Sequence, residues 1–485
     1  MERTPHVPCG ATVTLLGTGA VVGAGLMLLA IVLGLVPGLG PQRQGAPAAP
    51  PAVATAAIPV GPPVVENLYV REIPLPLDSD TATPDVLLTV QRSVDGRTTY
   101  TLAYLQGDSR TVRWESQPLS ERSYERRIAV GPQHIYLADG TRLLALARRD
   151  GARAWERTLS DTILNVCRDC LQLVGGSLIA LTQDGVLQAF DASGGRPAWS
   201  VRLNETPRQL VALGDAVGVL DYATPGGGGA TLLLFTPDGR RLRPADSACP
   251  GRNPEYFQRP GIYDRLYPDV RGEAVYLVVD GSEGCVIRVG PGGAADWTTP
   301  TASTALESWS DGELLMTPEA LFAGEDHALV SLDARTGALR QVVQSDDYEL
   351  TPLAARDGVL VVEAIRTRGS RRAELWGVDI AGGQRRWGHV LLGQDRFVSD
   401  MDGGDWAGQL VPGGFALIQA PQGAEQLQID ILRLTDGAPL ASATLPRENS
   451  ASWEGVAWTD RVAWVTFDRT YVVDLASATL RYAWP

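Results

Sequence analysis

An all-β fold of repeated antiparallel sheets is predicted by three observations. Short apolar runs such as SLIALT, AVYLVVD, VLVVEAI and RVAWVTF fill the chain beyond residue 66, and no long amphipathic helical period separates them. Turn formers are abundant, with 53 Gly and 33 Pro among 485 residues. One hairpin also recurs. In GVLQAFDASGGRPAWS (185–200) a period-two alternation breaks at Asp191, turns through Gly194 and Gly195 and resumes until Trp199. The context of Gly195 returns at Gly151, Gly239, Gly293, Gly337, Gly383 and Gly437, and in degenerate form at Arg110 and Ala478, at intervals of 41 to 54 residues. Self-similarity at that period marks a propeller or a solenoid.

Each element of the repeat has a physical reason. Glycine fits where a turn takes positive φ. Asp191, Asp333 and Asp379 stand four residues before their glycines, and Asp474 stands four before Ala478. Aspartate at that place can accept bonds from the amides of the bend. Trp155, Trp199, Trp297 and Trp387 follow their glycines by four residues and supply large apolar faces between neighbouring sheets. The interval holds about four short strands, the content of one blade of a multi-bladed β-propeller. Nine hairpins are counted, two of them degenerate. Eight blades are expected, with seven and nine as alternatives.

The chain before the repeats divides in three. Residues 1–10 are a short N-terminal segment. Residues 11–36, ATVTLLGTGAVVGAGLMLLAIVLGLV, carry no charge and exceed the roughly 20 residues a helix needs to cross a bilayer. A transmembrane helix or signal anchor is expected there, with secretion after signal cleavage as the alternative. Arg3 and the amino terminus favour a cytoplasmic N terminus, so the expected location is the cell membrane, single-pass, with an extracytoplasmic propeller. Residues 37–65 form a Pro/Ala/Gly-rich linker whose only charge is Arg43. Residues 66–485 are the propeller.

Charge and composition remove several function classes. The net charge of -14 disfavours nucleic acid and anionic membrane surfaces as partners. All 42 basic residues are arginine, so chemistry that needs a P-loop, kinase or Schiff-base lysine is absent. His6, His134, His327 and His389 are the only histidines, and no two have metal-ligand spacing.

The stretches FDASGGRPAW, LDARTGALRQ and VDIAGGQRRW resemble the pyrroloquinoline-quinone-type β-propeller repeat, and residues 66–485 as a whole resemble propellers of the BamB type. That resemblance implies either a protein-binding module or a quinone-dependent dehydrogenase. The dehydrogenases it brings in cover their cofactor with a disulfide between adjacent cysteines and bind calcium through acidic and amide side chains. Here Cys167 and Cys170 are separated by Arg168 and Asp169. Asp191 and Trp199 read as blade-forming residues rather than ligands. Asp400, Asp402 and Asp405 in SDMDGGDW lack the ligand order of an EF-hand and read as a solvated loop. No cofactor, metal or catalytic constellation is assigned.

Four cysteines lie beyond the anchor: Cys167, Cys170, Cys249 and Cys285. An even count outside the cytoplasm makes them candidate disulfides, with free buried thiols as the alternative. A bond between Cys249 and Cys285 would close a span of 36 residues around an aromatic-and-arginine insertion. That insertion, residues 245–272, carries Arg252, Tyr256, Phe257, Arg259, Tyr263, Arg265 and Tyr267, residue types that interfaces favour. It is the candidate interaction loop. The sequence thus predicts a membrane-anchored, extracytoplasmic propeller acting as a protein-binding or scaffolding module, with envelope assembly as its expected setting. The runner-up is an envelope enzyme or small-molecule sensor using the central channel, a quinone-dependent dehydrogenase included.

Overall fold

The computed structural model describes residues 69–484 except 71–74, 78–84, 95–96, 106–111, 120–126, 164–168, 204–205, 223–229, 243–264, 280–284, 301–313, 326, 369–371, 393–405, 420–425, 447–454 and 467–469. The expected transmembrane helix (11–36) and the linker (37–65) lie outside the described residues. Among the described residues there is no helix, and none long and apolar enough to cross a membrane.

Nine antiparallel sheets follow one another along the chain, all but the first a simple meander in chain order. Blade 1 comprises Val86–Val94, Arg97–Leu105 and Val112–Glu115, with the short strands Tyr69–Val70 and Leu75–Pro76 both paired to Val86–Val94. Blades 2 to 9 have four strands each and span 127–158, 171–202, 206–242, 265–300, 315–344, 348–390, 406–446 and 455–484. The expectation of eight blades is therefore corrected to nine. The first copy of the repeat, with Arg110 at the sequence position of the glycine, belongs to a complete sheet with two nine-residue strands. Trp114 follows Arg110 by four residues, in register with the tryptophan column. Loss of the glycine disguised the copy without removing the blade.

The core lies between blades rather than within them. Strands such as Val275–Val279, Gly414–Gln419 and Val462–Thr466 are buried at every position because a neighbouring sheet covers each face. The outer strand Pro197–Arg202 instead alternates between exposed and half-buried positions. Apolar clusters join every successive pair of blades, and the largest runs through blades 2, 3 and 4. Val86, Leu88 and Val90 of blade 1 pack with Ala457, Val462 and Trp464 of blade 9. That contact closes the ring by sheet packing, since the described strands of each blade come from one continuous stretch of chain.

The repeat column has the geometry that its residues imply. Gly151, Gly195, Gly239, Gly293, Gly337, Gly383 and Gly437 all take φ between +65° and +83°, and Ala478 holds +52° with its methyl buried in the blade 8–9 cluster. Asp333 Oδ1 accepts from the amides of Arg335 and Thr336, and Asp379 Oδ2 accepts from the Gly382 amide. The third and fourth strands slip by one residue in every blade except the fourth, within two pairs of the turn except in blade 6, where the slip falls between Leu329 and Val330. Such a bulge strengthens the local twist.

Candidate functional site

In a four-stranded meander, the first and third connections leave one end of the sheet, and the second connection leaves the other together with the link to the next blade. The two ends of this ring differ. At the first end, blades 2 to 9 are joined internally by turns of two to six residues, among them 131–133, 148–152, 175–176, 236–240 and 357–358. At the second end run the connections 159–170, 243–264, 301–314, 391–405 and 447–454 between blades, and 223–229, 367–372 and 420–425 within them. The second end is also the more acidic in sequence. Glu307, Asp311, Glu313, Asp395, Asp400, Asp402 and Asp405 all fall in its connections.

The candidate interaction loop belongs to the second end. Arg252, Tyr256, Phe257, Arg259 and Tyr263 lie outside the described residues. Arg265 and Tyr267 do not stand on a loop; they belong to the first strand of blade 5, Arg265–Pro268. Arg265 is exposed, whereas Tyr267 packs against the cluster joining blades 5 and 6. The alternation of ArgLeuTyrPro was a strand signal hidden by the surrounding proline and tyrosine. Cys170 and Cys285 are fully buried and disulfide-bonded, while Cys167 and Cys249 lie outside the described residues. Asp400, Asp402 and Asp405 lie outside them too.

Toward the axis, the first strands are stitched by side chains. Gln172 Nε2 donates to Leu210 O of blade 4 at 3.1 Å. Gln209 of blade 4 forms both bonds of an amide pair with Leu266 of blade 5, donating at 2.6 Å and accepting at 2.8 Å. Arg356 Nη1 donates to Val411 O between blades 7 and 8 at 2.9 Å. These polar side chains satisfy backbone groups of the neighbouring blade, so their role is structural. Among the described residues, no group of three His, Cys, Asp or Glu is placed to hold a metal ion.

Toward the rim, a tryptophan latch joins blades. The indoles of Trp114, Trp155, Trp199, Trp297 and Trp387 donate to Arg148 O, Ala192 O, Pro237 O, Ala334 O and Leu434 O, each in the turn of the next blade. A Cβ built on Gly195 would stand 2.6 Å from Trp155, and one on Gly239 2.5 Å from Trp199. Only glycine lets the ring lie flat on the turn. Between blades 6 and 7, Arg340 Nη2 takes the indole's place and donates to Ile380 O at 2.8 Å.

The family profile described as "Outer membrane protein assembly factor BamB" matches residues 100–341. Comparison with curated proteins finds no match. Among solved structures, BamB from Moraxella catarrhalis is 15% identical, over 85% of this chain and 96% of that one, with a TM-score of 0.39. Quinohemoprotein alcohol dehydrogenase from Comamonas testosteroni is 12% identical, over 74% of this chain and 73% of that one, with a TM-score of 0.41. The structure of the eukaryotic initiation factor has a TM-score of 0.51 at 9% identity, over 80% of this chain and 91% of that one. At such identities the likeness is one of fold.

Proposed function

We infer, for a chain whose residues 100–341 place it in the BamB-like family of pyrroloquinoline-quinone-type β-propellers, that it works as a protein-binding scaffold at the cell envelope. The propeller is carried outside the membrane by residues 11–36 and held off it by the linker 37–65. One observation supports this reading most: the ring has one end of tight turns and one of long connections. A repeat scaffold that places its insertions on one face uses that face for binding, because rigid sheets hold the loops while the loops vary. Tyr256, Phe257 and Tyr263, with Arg252 and Arg259, are the anchors of that face. The disulfide state of Cys285 supports a staple to Cys249, which would hold the insertion and lower the ordering cost of binding. The partner is a protein, in keeping with the assembly role in the name of BamB.

The test is affinity capture from detergent-solubilised membranes with the full chain. Tyr256→Ala, Phe257→Ala and Tyr263→Ala are combined, leaving Tyr267 intact because it packs between blades. Loss of partner recovery by a normally folded triple variant is expected. Unchanged recovery would remove the loop from the interface.

A further inference from the structure

At the tight-turn end, blades 1 and 2 enclose a cleft of about 430 Å³ lined by Asp85, Tyr104, Arg113, Gln133, Arg148 and Arg149. One wall, around Tyr104 and Arg148, is held in place. The Tyr104 ring is buried, its hydroxyl donates to Asp85 Oδ2 at 2.5 Å, and Arg148 Nε donates to that hydroxyl at 3.3 Å. Burial, and after it the Asp85 bond, raises the Tyr104 pKa above the ordinary phenol value, so the donor proton is kept. The ring stands 5.3 Å from that of Trp114, whose indole holds Arg148 O, and the Arg148 amide donates to Gln133 O at 2.9 Å. Arg148 is thus oriented by the fold itself. Arg113 is exposed, stands 6.0 Å from the Tyr104 ring centroid and has no carboxylate partner among the described residues. Arg149 meets Asp150 only at 3.8 Å, with both side chains largely in solvent, a weak pair.

Charge then selects the ligand. The chain carries -14, yet here three guanidinium groups stand against two carboxylates, Asp85 in the cleft and Asp150 beside Arg149. The local surplus attracts an anion, and guanidinium forks match the plane of a carboxylate. Asp85 beside them disfavours a doubly charged phosphate. The exposed ledge of Pro132 and Gln133 leaves the cleft open at its side, unlike a pocket that encloses a small molecule. We propose that this cleft binds an acidic peptide segment, with Arg113 and Arg149 supplying charge and Arg148, set by Tyr104 and Asp85, supplying direction. The site lies at the opposite end of the ring from the long connections and stands independently of their role.

The test is calorimetric titration of the detergent-solubilised full chain with acetyl-hexaglutamate-amide at low ionic strength. Saturable binding that weakens with added salt is expected. Arg113→Gln combined with Arg149→Gln should weaken it at least tenfold, and Arg240→Gln, on an exposed turn of blade 4, should leave it unchanged. Both cleft substitutions are at exposed positions, so the thermal transition should match that of the unsubstituted chain. No binding by the unsubstituted chain, or equal binding by the double variant, overturns the proposal. Free glutarate binding as tightly per carboxylate overturns the peptide assignment, and inorganic phosphate doing so overturns the carboxylate assignment.

Discussion

Gly195 carries two constraints at once, a φ of +67° and the Trp155 ring against its missing side chain. Gly176 has φ +79° with nothing within 4 Å of a built Cβ. Gly176→Ala should therefore cost about 1 kcal/mol of backbone strain, and Gly195→Ala clearly more, about 2 kcal/mol or above, read as the larger fall in thermal transition. Titration adds a second expectation. Burial lowers the His389 pKa below its usual 6.5, with Asp430 opposing, so the folded state prefers the neutral ring. That stability is complete above pH 6.5 and declines as pH falls toward the lowered value. The Gly382 amide and then Arg386 lower the Asp379 pKa below 3.8, so its contribution is present above that pH and lost as pH falls through the folded value. The transition temperature should be flat from pH 8 to 7 and fall in two stages on acidification. His389→Gln should flatten the first stage and Asp379→Asn reduce the second. At this scale the turn glycines and aspartates were legible in the sequence because backbone geometry alone selects them. Trp114 was not, because the position four residues before it holds Arg110 instead of glycine.

Latches are properties of pairs of blades. Trp155→Ala should destabilise the blade 2–3 joint by about 3–5 kcal/mol, since it removes a large buried side chain. Trp155→Phe keeps the apolar face, loses the bond to Ala192 O and should cost less than Trp155→Ala by equilibrium unfolding. Blades 8 and 9 have Ala441 and blades 9 and 1 have Tyr482 where five other joints have tryptophan. The seam between blades 9 and 1 rests on sheet packing, whereas blades 2 to 4 share one continuous cluster. Hydrogen exchange should find the seam opening first and blades 2 to 4 last; uniform protection around the ring would contradict this ordering. The strands themselves were readable from apolar runs and turn spacing. Their number was harder to read, because two blades lack the turn glycine. The placement of Arg265 and Tyr267 on a strand depended on pairing with Val275–Val279, a contact that local pattern does not reveal.

For the whole molecule, residues 1–45 are the proposed route to the membrane, and a chain lacking them should remain folded and soluble. Sedimentation with membranes in high salt would contradict a single anchor. The two ends of the ring could not be compared from sequence alone, because connection length acquires a direction only once strand order is known. That asymmetry underlies the functional reading, and the composition of the chain offers a way to test it. With no lysine in 485 residues, amine reagents leave the propeller unlabelled, whereas carboxyl-directed dihydrazide cross-linking reports from acidic residues at both ends. On the complex captured from solubilised membranes, partner cross-links are expected at Glu307, Asp311, Asp395, Asp402 and Glu448, with Asp215, Asp238, Asp357 and Asp436 of the tight turns silent. Partner cross-links confined to those four turn residues would contradict binding through the long-connection end.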